Sequence, residues 1–366
     1  MQDYNILKRK ALNKAFSHLN PEQRQAVFTV NGPVLILAGA GSGKTRVLTH
    51  RIAYLIENNG VNPWNILAIT FTNKAAGEMR ERVDKIVGFG SDSVWVSTFH
   101  STCARILRRY GERLGYTSKF TVYDTDDQRR QIKEILKAIN VDEKVLHHRR
   151  VLTEISRAKD QLKSPEDFKQ ETRSDSRRIT IANAYAMYAK RLKDSDAMDF
   201  DDMINNTVKL FRENPDVLDY YQEKFRYIMV DEYQDTNHAQ YVLVSLLAGQ
   251  GNLCVVGDDD QSIYKFRGAT IENILSFENQ YEETAVIRLE QNCRSTSVIL
   301  DAANAVIKNN KGRKGKTLWT EKEGGDKIKV KILTDERDEG RFVADEILNA
   351  VALGRKFSDF AILYRT

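Results

Sequence analysis

The residues with the clearest capacity for chemistry are the run Ala38-Gly39-Ala40-Gly41-Ser42-Gly43-Lys44-Thr45. Closely spaced glycines let backbone N–H groups turn inward around an anion, and a lysine followed by a hydroxyl residue adds a cation and a metal ligand. Lys44 would reach the β- and γ-phosphates of ATP, and Thr45 would place its hydroxyl on Mg2+, with Arg46 as the next nucleotide-facing position. The strict form of such a loop begins with glycine, and here that position is Ala38. A second chemical element is Asp231-Glu232, which follows the apolar run Tyr227-Ile228-Met229-Val230. Asp231 would hold Mg2+ through water, and Glu232 would orient or deprotonate the attacking water. Alone, such a pair is an acidic end to a strand; beside a phosphate loop it points to hydrolysis rather than storage of the nucleotide.

These residues need a scaffold that brings distant segments to one edge. Val34–Ala38, Ile66–Thr72, Val94–Thr98, Tyr227–Asp231 and Leu253–Gly257 read as buried strands, with further runs at Ala285–Leu289, Ile328–Ile332 and Phe360–Tyr364. Runs rich in Val, Ile and Leu, separated by helical stretches, predict an α/β fold with a parallel sheet covered on both faces. The phosphate-loop run itself follows VLIL and precedes a helical RVLTHRIAYLI, the strand–loop–helix context that the chemistry requires. Between about residues 104 and 196 no convincing strand is visible, so that stretch reads as a mainly helical insertion.

Composition excludes several classes. With 41% hydrophobic and 29% charged residues over 366 positions, the chain reads as two or three globular units. No apolar run approaches the roughly 18 residues that a membrane span needs. The polar, basic start gives no sign of a signal peptide, and a cytoplasmic setting is expected. Cys103, Cys254 and Cys293 are too scattered for a metal site and fit reduced thiols. The net charge of +5 has one source, since residues 101–200 carry 22 Lys+Arg against 16 Asp+Glu. A basic stretch suits a phosphate backbone, although a solvated helical surface explains it equally well. The basic run KNNKGRKGK (308–316) reads as a loop.

The run DEYQDTN (231–237) resembles motif II of the UvrD/PcrA/Rep superfamily 1 helicases, and other family motifs follow in order. LNPEQRQAV (19–27) resembles the Q motif, ITFTNKAAGEM (69–79) motif Ia and VSTFHS (96–101) motif Ib. DFDDM (199–203) resembles the segment where the chain re-enters the first motor domain. VVGDDDQSIYKFRGA (255–269) resembles motif III, LEQNCRS (289–295) motif IV, and FAILYRT (360–366) the motif after it.

The resemblance implies a RecA-like motor domain in two parts (1–103 and 197–280), a helical DNA-facing insertion (104–196) and the start of a second RecA-like domain (281–366). It implies that Gln23 hydrogen-bonds the adenine edge, that Gln261 senses the γ-phosphate, and that Arg294 contacts that phosphate from the second domain. Phe71, Phe200, Tyr264 and Phe266 would stack on bases of a single strand, with Thr72, Asn73, Thr98, His100 and Arg267 holding the backbone or bases. Two positions depart from the family: Phe266 stands where Trp is common, and Cys293 where a tyrosine usually stacks on adenine. The implied activity is ATP-driven 3′→5′ translocation and unwinding on single-stranded DNA or a duplex with a 3′ tail, in repair or replication. The family's later motifs V and VI are not seen, so an N-terminal fragment with little turnover of its own is expected. Two other readings stay open, the motor of an AddA- or RecB-like helicase–nuclease complex and a non-catalytic ATP- and DNA-binding adaptor.

Overall fold

The structure, a computed structural model, describes residues 16–88, 91–172, 175–249, 251–263, 268–310 and 312–364. Its centre is a six-stranded parallel sheet in the order β3-β2-β6-β7-β1-β8. The strands are β1 (Val34–Ala38), β2 (Ile66–Thr70), β3 (Trp95–Thr98), β6 (Tyr227–Val230), β7 (Leu253–Gly257) and β8 (Ala285–Leu289). A separate two-stranded parallel pair joins β4 (Thr121–Val122) to β5 (Ala197–Met198).

The alternation of side chains along a strand explains why both faces are apolar. Leu35, Leu37, Leu67, Ile69, Ile228, Val230, Leu253 and Val255 enter one core. Their neighbours Val34, Ile36, Ala38, Ile66, Ala68, Met229, Cys254 and Val256 enter the other. The second core is covered by α1 (Pro21–Phe28), α2 (Lys44–Glu57) and α3 (Asn73–Val87), which contribute Val27, Val47, Ile52 and Met79. The first is covered by α4 (Phe99–Tyr110) and by helices further along the chain.

Helices α5 (Thr125–Ala138), α6 (His148–Asp160), α7 (Pro165–Glu171) and α8 (Ser176–Asp194) build a third core of their own, with Ile135, Ile155, Phe168 and Tyr188 inside it. Behind them, α9 (Phe200–Glu213), α10 (Pro215–Lys224) and α11 (His238–Leu247) return to the first core. The helical reading of 104–196 omitted β4, whose two residues are too few to give a periodic signal.

Two sequence expectations are corrected here. The strand at Ala285–Leu289, expected to open a second domain, pairs in full register with β1 and forms the sheet's edge. The runs at 328–332 and 360–364 form no strand. They are apolar enough, but a strand needs a partner for its backbone. Val330, Ile332 and Leu363 are instead exposed. This region also carries α12 (Ser297–Ile307) and α13 (Glu336–Ala352), the latter with no buried residue.

Candidate active site

A parallel sheet puts the C-terminal ends of all its strands on one edge, where loops can meet. That edge gathers the chemical residues: 39–45 follow β1, 71–73 follow β2, 98–100 follow β3, 231–235 follow β6, 258–261 follow β7 and 290–294 follow β8.

The phosphate-loop residues form a closed turn. Gly41 (φ 69°) and Gly43 (φ 90°) adopt left-handed conformations that side-chain-bearing residues rarely hold. Gly43 is the N-cap of α2, so Lys44 and Thr45 begin the helix with its free N–H groups aimed at the loop. Ser42 Oγ donates to the Gly39 carbonyl at 2.7 Å. Gly39 N–H donates to the Leu289 carbonyl at 3.0 Å, which ties the loop to the edge strand. Ala38 ends β1 inside the core, where a methyl group fits without strain.

Lys44 Nζ pairs with Glu232 Oε2 at 2.7 Å. Burial pushes the Asp231 carboxyl up to about 6, the Glu232 charge adds to the rise, and Lys44 and a hydrogen bond from Thr45 oppose it. Glu232 itself has a left-handed backbone (φ 50°), uncommon for a residue with a side chain and a form of local strain. Thus Lys44, Thr45, Asp231 and Glu232, distant in sequence, touch.

Gln23 is buried as the third residue of α1, in a capping box with Asn20. Its Nε2 donates to the Ser42 carbonyl at 2.8 Å. Arg46 Nη2 reaches the His18 carbonyl at 3.3 Å. Arg294 is exposed, with its Cβ packed over Gly41. Gln261 is exposed at the end of β7 and donates through Nε2 to the Asp258 carboxylate.

Three residues in this network carried no assignment from sequence. Asn292 donates to the Ala40 carbonyl at 2.6 Å and accepts from the Arg294 and Ser295 N–H groups at 2.7 Å each, so one side chain locks the loop and aims Arg294. Gln234 donates to Glu232 at 2.9 Å and accepts from Asp258 N–H at 2.9 Å, linking β6 to β7. Lys316, from the basic loop, is buried against three consecutive carboxylates: Asp258 at 2.7 Å, Asp260 at 2.9 Å and Asp259. Asp258–Asp260 lie close enough to share a cation, and the cation they share is an ammonium. Arg313 adds a bond to Asp260 at 2.8 Å. An asparagine near an arginine and a lysine in a polar loop give no sequence signal, because their partners are remote.

The expected DNA-facing residues sit around a cleft of about 630 Å3 between the sheet edge and α6. Phe71, Thr72 and His100 line it; Phe71 packs edge-on against Phe99 at 5.6 Å, and His100 against the exposed Phe200 at 5.5 Å. Thr72 and Thr98 are N-caps of α3 and α4, and Asn73 is exposed on the first turn of α3. Burial pushes the His100 imidazole below its usual range despite the Asp199 charge. Tyr264, Phe266 and Arg267 lie outside the described residues.

Among the described residues the basic surplus of the insertion gives the cleft lining one residue, Arg157. Arg108, Arg109, Arg130, Arg149 and Arg150 point to solvent, whereas Asp160, Asp199, Asp201 and Asp235 line the cavity. Burial pushes Asp160 up to about 7, with the Asp201 charge adding to it and Asn237 bonding to it at 2.5 Å. Burial likewise raises Asp201 and Asp235 to about 6, helped by the Asp199 and Glu232 charges respectively. Behind this wall, Lys159 is buried between Asp199 and Asp202 at 2.7 Å each, and Tyr188 donates to Asp199 at 3.0 Å. Burial disfavours the Lys159 charge, but the two carboxylates outweigh it and keep the ammonium protonated.

A parallel sheet whose one edge carries a glycine loop, a helix N-terminus and a Lys–Glu, Thr–Asp quartet defines the RecA-like class of α/β proteins. Within that class the chain belongs to the UvrD/REP helicase family. The family's N-terminal domain model matches residues 19–282, and the UvrD-like helicase C-terminal domain model matches residues 287–366. The chain is 54% identical over 356 residues to "ATP-dependent DNA helicase PcrA" of Staphylococcus aureus, covering 97% of this chain and 49% of that protein. The protein of the same name from Staphylococcus epidermidis gives the same identity and coverage. The chain thus spans about half the length of the curated relatives it matches. The C-terminal match begins inside β8, although the strand pairing places β8 in the first sheet. Among the described residues no helix is long and apolar enough to cross a membrane.

Proposed function

We propose that the chain is the nucleotide-binding part of an ATP-dependent DNA helicase that moves 3′→5′ along single-stranded DNA, in repair or replication and in the cytoplasm. The observation that carries this reading is the convergence of Lys44, Thr45, Asp231 and Glu232 at the sheet edge next to the Phe71–His100 cleft. Residues 39–45 would cradle the phosphates of ATP, and Arg294, aimed by Asn292, would approach them from the β8 side. The residues suit Mg2+: the Thr45 hydroxyl and a buried Asp231 carboxylate lie together, and the buried acid lacks the full counter-charge that a divalent ion would supply. Mg2+ would neutralise phosphate charge there.

A phosphate group competes with Glu232 for the Lys44 ammonium. Displaced from Lys44, the Glu232 carboxylate is free to accept a proton from the water that attacks the γ-phosphorus, as the bond to the bridging oxygen of ADP breaks. Gln234 and Gln261 connect this group to the end of β7. The cleft would hold single-stranded DNA, with Phe71 and Phe200 presenting rings to the bases, a contact tolerant of sequence because every base has a π-face. We take 104–196 as an inserted helical unit on the DNA side. The strand-like runs at 328–332 and 360–364 are unpaired, which supports binding of ATP and DNA with little DNA-stimulated turnover by these 366 residues.

The test is titration of a fluorescent ATP analogue, with Mg2+, into wild type and Glu232→Gln, beside an ATPase assay with oligo(dT). Glu232→Gln should bind at least as tightly as wild type and lose residual turnover. Equal turnover by the two would remove Glu232 from the hydrolytic role.

A further inference from the structure

Beside the phosphate loop lies a second cavity, of about 450 Å3, lined by Asn20, Gln23, Arg46, Cys293, Trp319 and Glu321 among others. We infer that Trp319 is the face on which the purine base of the bound nucleotide stacks, an inference that rests on the nucleotide reading of residues 39–45.

The indole combines an exposed ring with a fixed backbone. Trp319 is 48% exposed, although its main chain is pinned on both sides. Its N–H donates to the Glu290 carbonyl at 3.1 Å and its carbonyl accepts from Asn292 N–H at 2.7 Å, in a parallel bridge that extends β8. Leu318, one residue earlier, is held by Asn304 at 2.9 and 3.3 Å and covers Gly39 so closely that a Cβ there would clash with its Cδ2. The indole is therefore placed relative to the phosphate loop by direct packing. A rigid, half-exposed aromatic loses little entropy on binding a flat ligand.

The other walls suit a purine. Arg46 lies in the first turn of α2 beside Lys44 and Thr45, and its planar guanidinium can lie against a base. Gln23 uses one donor on Ser42 and one acceptor site on Asn20 N–H at 3.2 Å, leaving one amide N–H and one lone pair. That remaining pair matches the N7 acceptor and N6 donor of adenine. Asn20 Nδ2 donates to Gln291 at 2.7 Å and joins the Gln23 wall to the Trp319 wall. Cys293, also in this cavity, has too small a side chain to cover a base.

The experiment uses the 366-residue chain with ATP and with inorganic tripolyphosphate, which carries the phosphates without a base. Affinity is read by calorimetry and tryptophan fluorescence is read alongside. Of the chain's three tryptophans, Trp95 is buried in β3 and Trp64 precedes β2 at the opposite sheet edge, so a stacking signal reports Trp319. ATP should quench fluorescence and tripolyphosphate should not. Trp319→Ala should weaken ATP roughly five- to a hundredfold, leave tripolyphosphate affinity unchanged, and melt as wild type; Trp319→Phe should restore most of the loss. Wild-type ATP affinity in Trp319→Ala overturns the inference while leaving the phosphate loop standing. Equal loss of ATP and tripolyphosphate also overturns it, because the residue is then structural. Failure of wild type to bind either compound would overturn the nucleotide reading itself.

Discussion

At the nucleotide edge, carboxylates meet cations: Glu232 pairs with Lys44, and Asp258, Asp259 and Asp260 share Lys316. A few residues away, the cleft wall is built differently. Asp160, Asp201 and Asp235 are pushed toward their neutral forms by burial and by one another's neighbours. A neighbouring ammonium favours the charged form of a carboxylate, whereas burial favours the protonated one. The two regions share a sheet edge, but the cleft has three such acids where the nucleotide edge has Asp231. Lys159 lies between these designs, a buried cation serving Asp199 and Asp202 at the joint of α6 and α9.

The largest expected effect is at that joint. Lys159→Met leaves Asp199 buried without its partner, which should destabilise the fold by about 3–5 kcal/mol. Urea melting followed by circular dichroism measures this, and a loss below 1 kcal/mol would show that water reaches the pair. Next comes Lys44→Ala, which should weaken Mg2+-ATP binding by about 1.5–3 kcal/mol, roughly ten- to a hundredfold, with little change in melting. Unchanged binding of the fluorescent analogue would detach the loop from ATP. Phe200→Ala should cost roughly 1–3 kcal/mol of oligo(dT) affinity if a base stacks on this exposed ring. Anisotropy reads the change, and no change would return Phe200 to packing against His100.

The smallest effect, and the sharpest for the comparison, is a pair of opposite pH slopes. Lowering pH through about 6 protonates Asp231 and should weaken Mg2+-dependent nucleotide binding. Lowering it through about 7 to 6 protonates Asp160, Asp201 and Asp235, removes negative charge from the cleft, and should tighten single-stranded DNA binding. Stability should follow the same acids. Each binds its proton more tightly when folded than at the ordinary carboxylate value near 4, so stability falls as pH rises from about 4 to about 7. Asp160→Asn should flatten both the stability and the DNA slopes. Parallel slopes for ATP and DNA would mean that the two regions do not titrate separately.

Much of the sheet was legible because doubly covered parallel strands are unbroken apolar runs. The bounds of β1, β7 and β8 coincide with the runs read from sequence, and β2 stops two residues short where Phe71 turns into the cleft. The runs at 328–332 and 360–364 looked alike but remained unpaired, since an apolar pattern expresses a wish for burial and not the presence of a partner. The phosphate loop was legible because glycine spacing is a local backbone demand. Asn292, Gln234 and Lys316 were not, because the loop carbonyl, the Asp258 amide and the three carboxylates that they respectively bind are remote in sequence, and no local pattern encodes them. The basic surplus of 101–200 suggested a positive DNA face. Charge counts carry no direction: Arg157 reaches the cleft, but four aspartates line it and other arginines of the stretch are exposed to solvent.

The Lys316 cluster has a mechanical consequence. Residues 313–316 are stapled to the end of β7, and two residues later Leu318 rests on Gly39 and Trp319 on the rim of the nucleotide cavity. A pull on this segment is borne first by a buried ammonium among carboxylates, whose bonds are short and directional, so the segment acts as a stiff strut and not as slack tether. Force applied to the chain beyond α12 would therefore arrive at the phosphate loop and at Gln261 together, with Asp258 as the pivot they share.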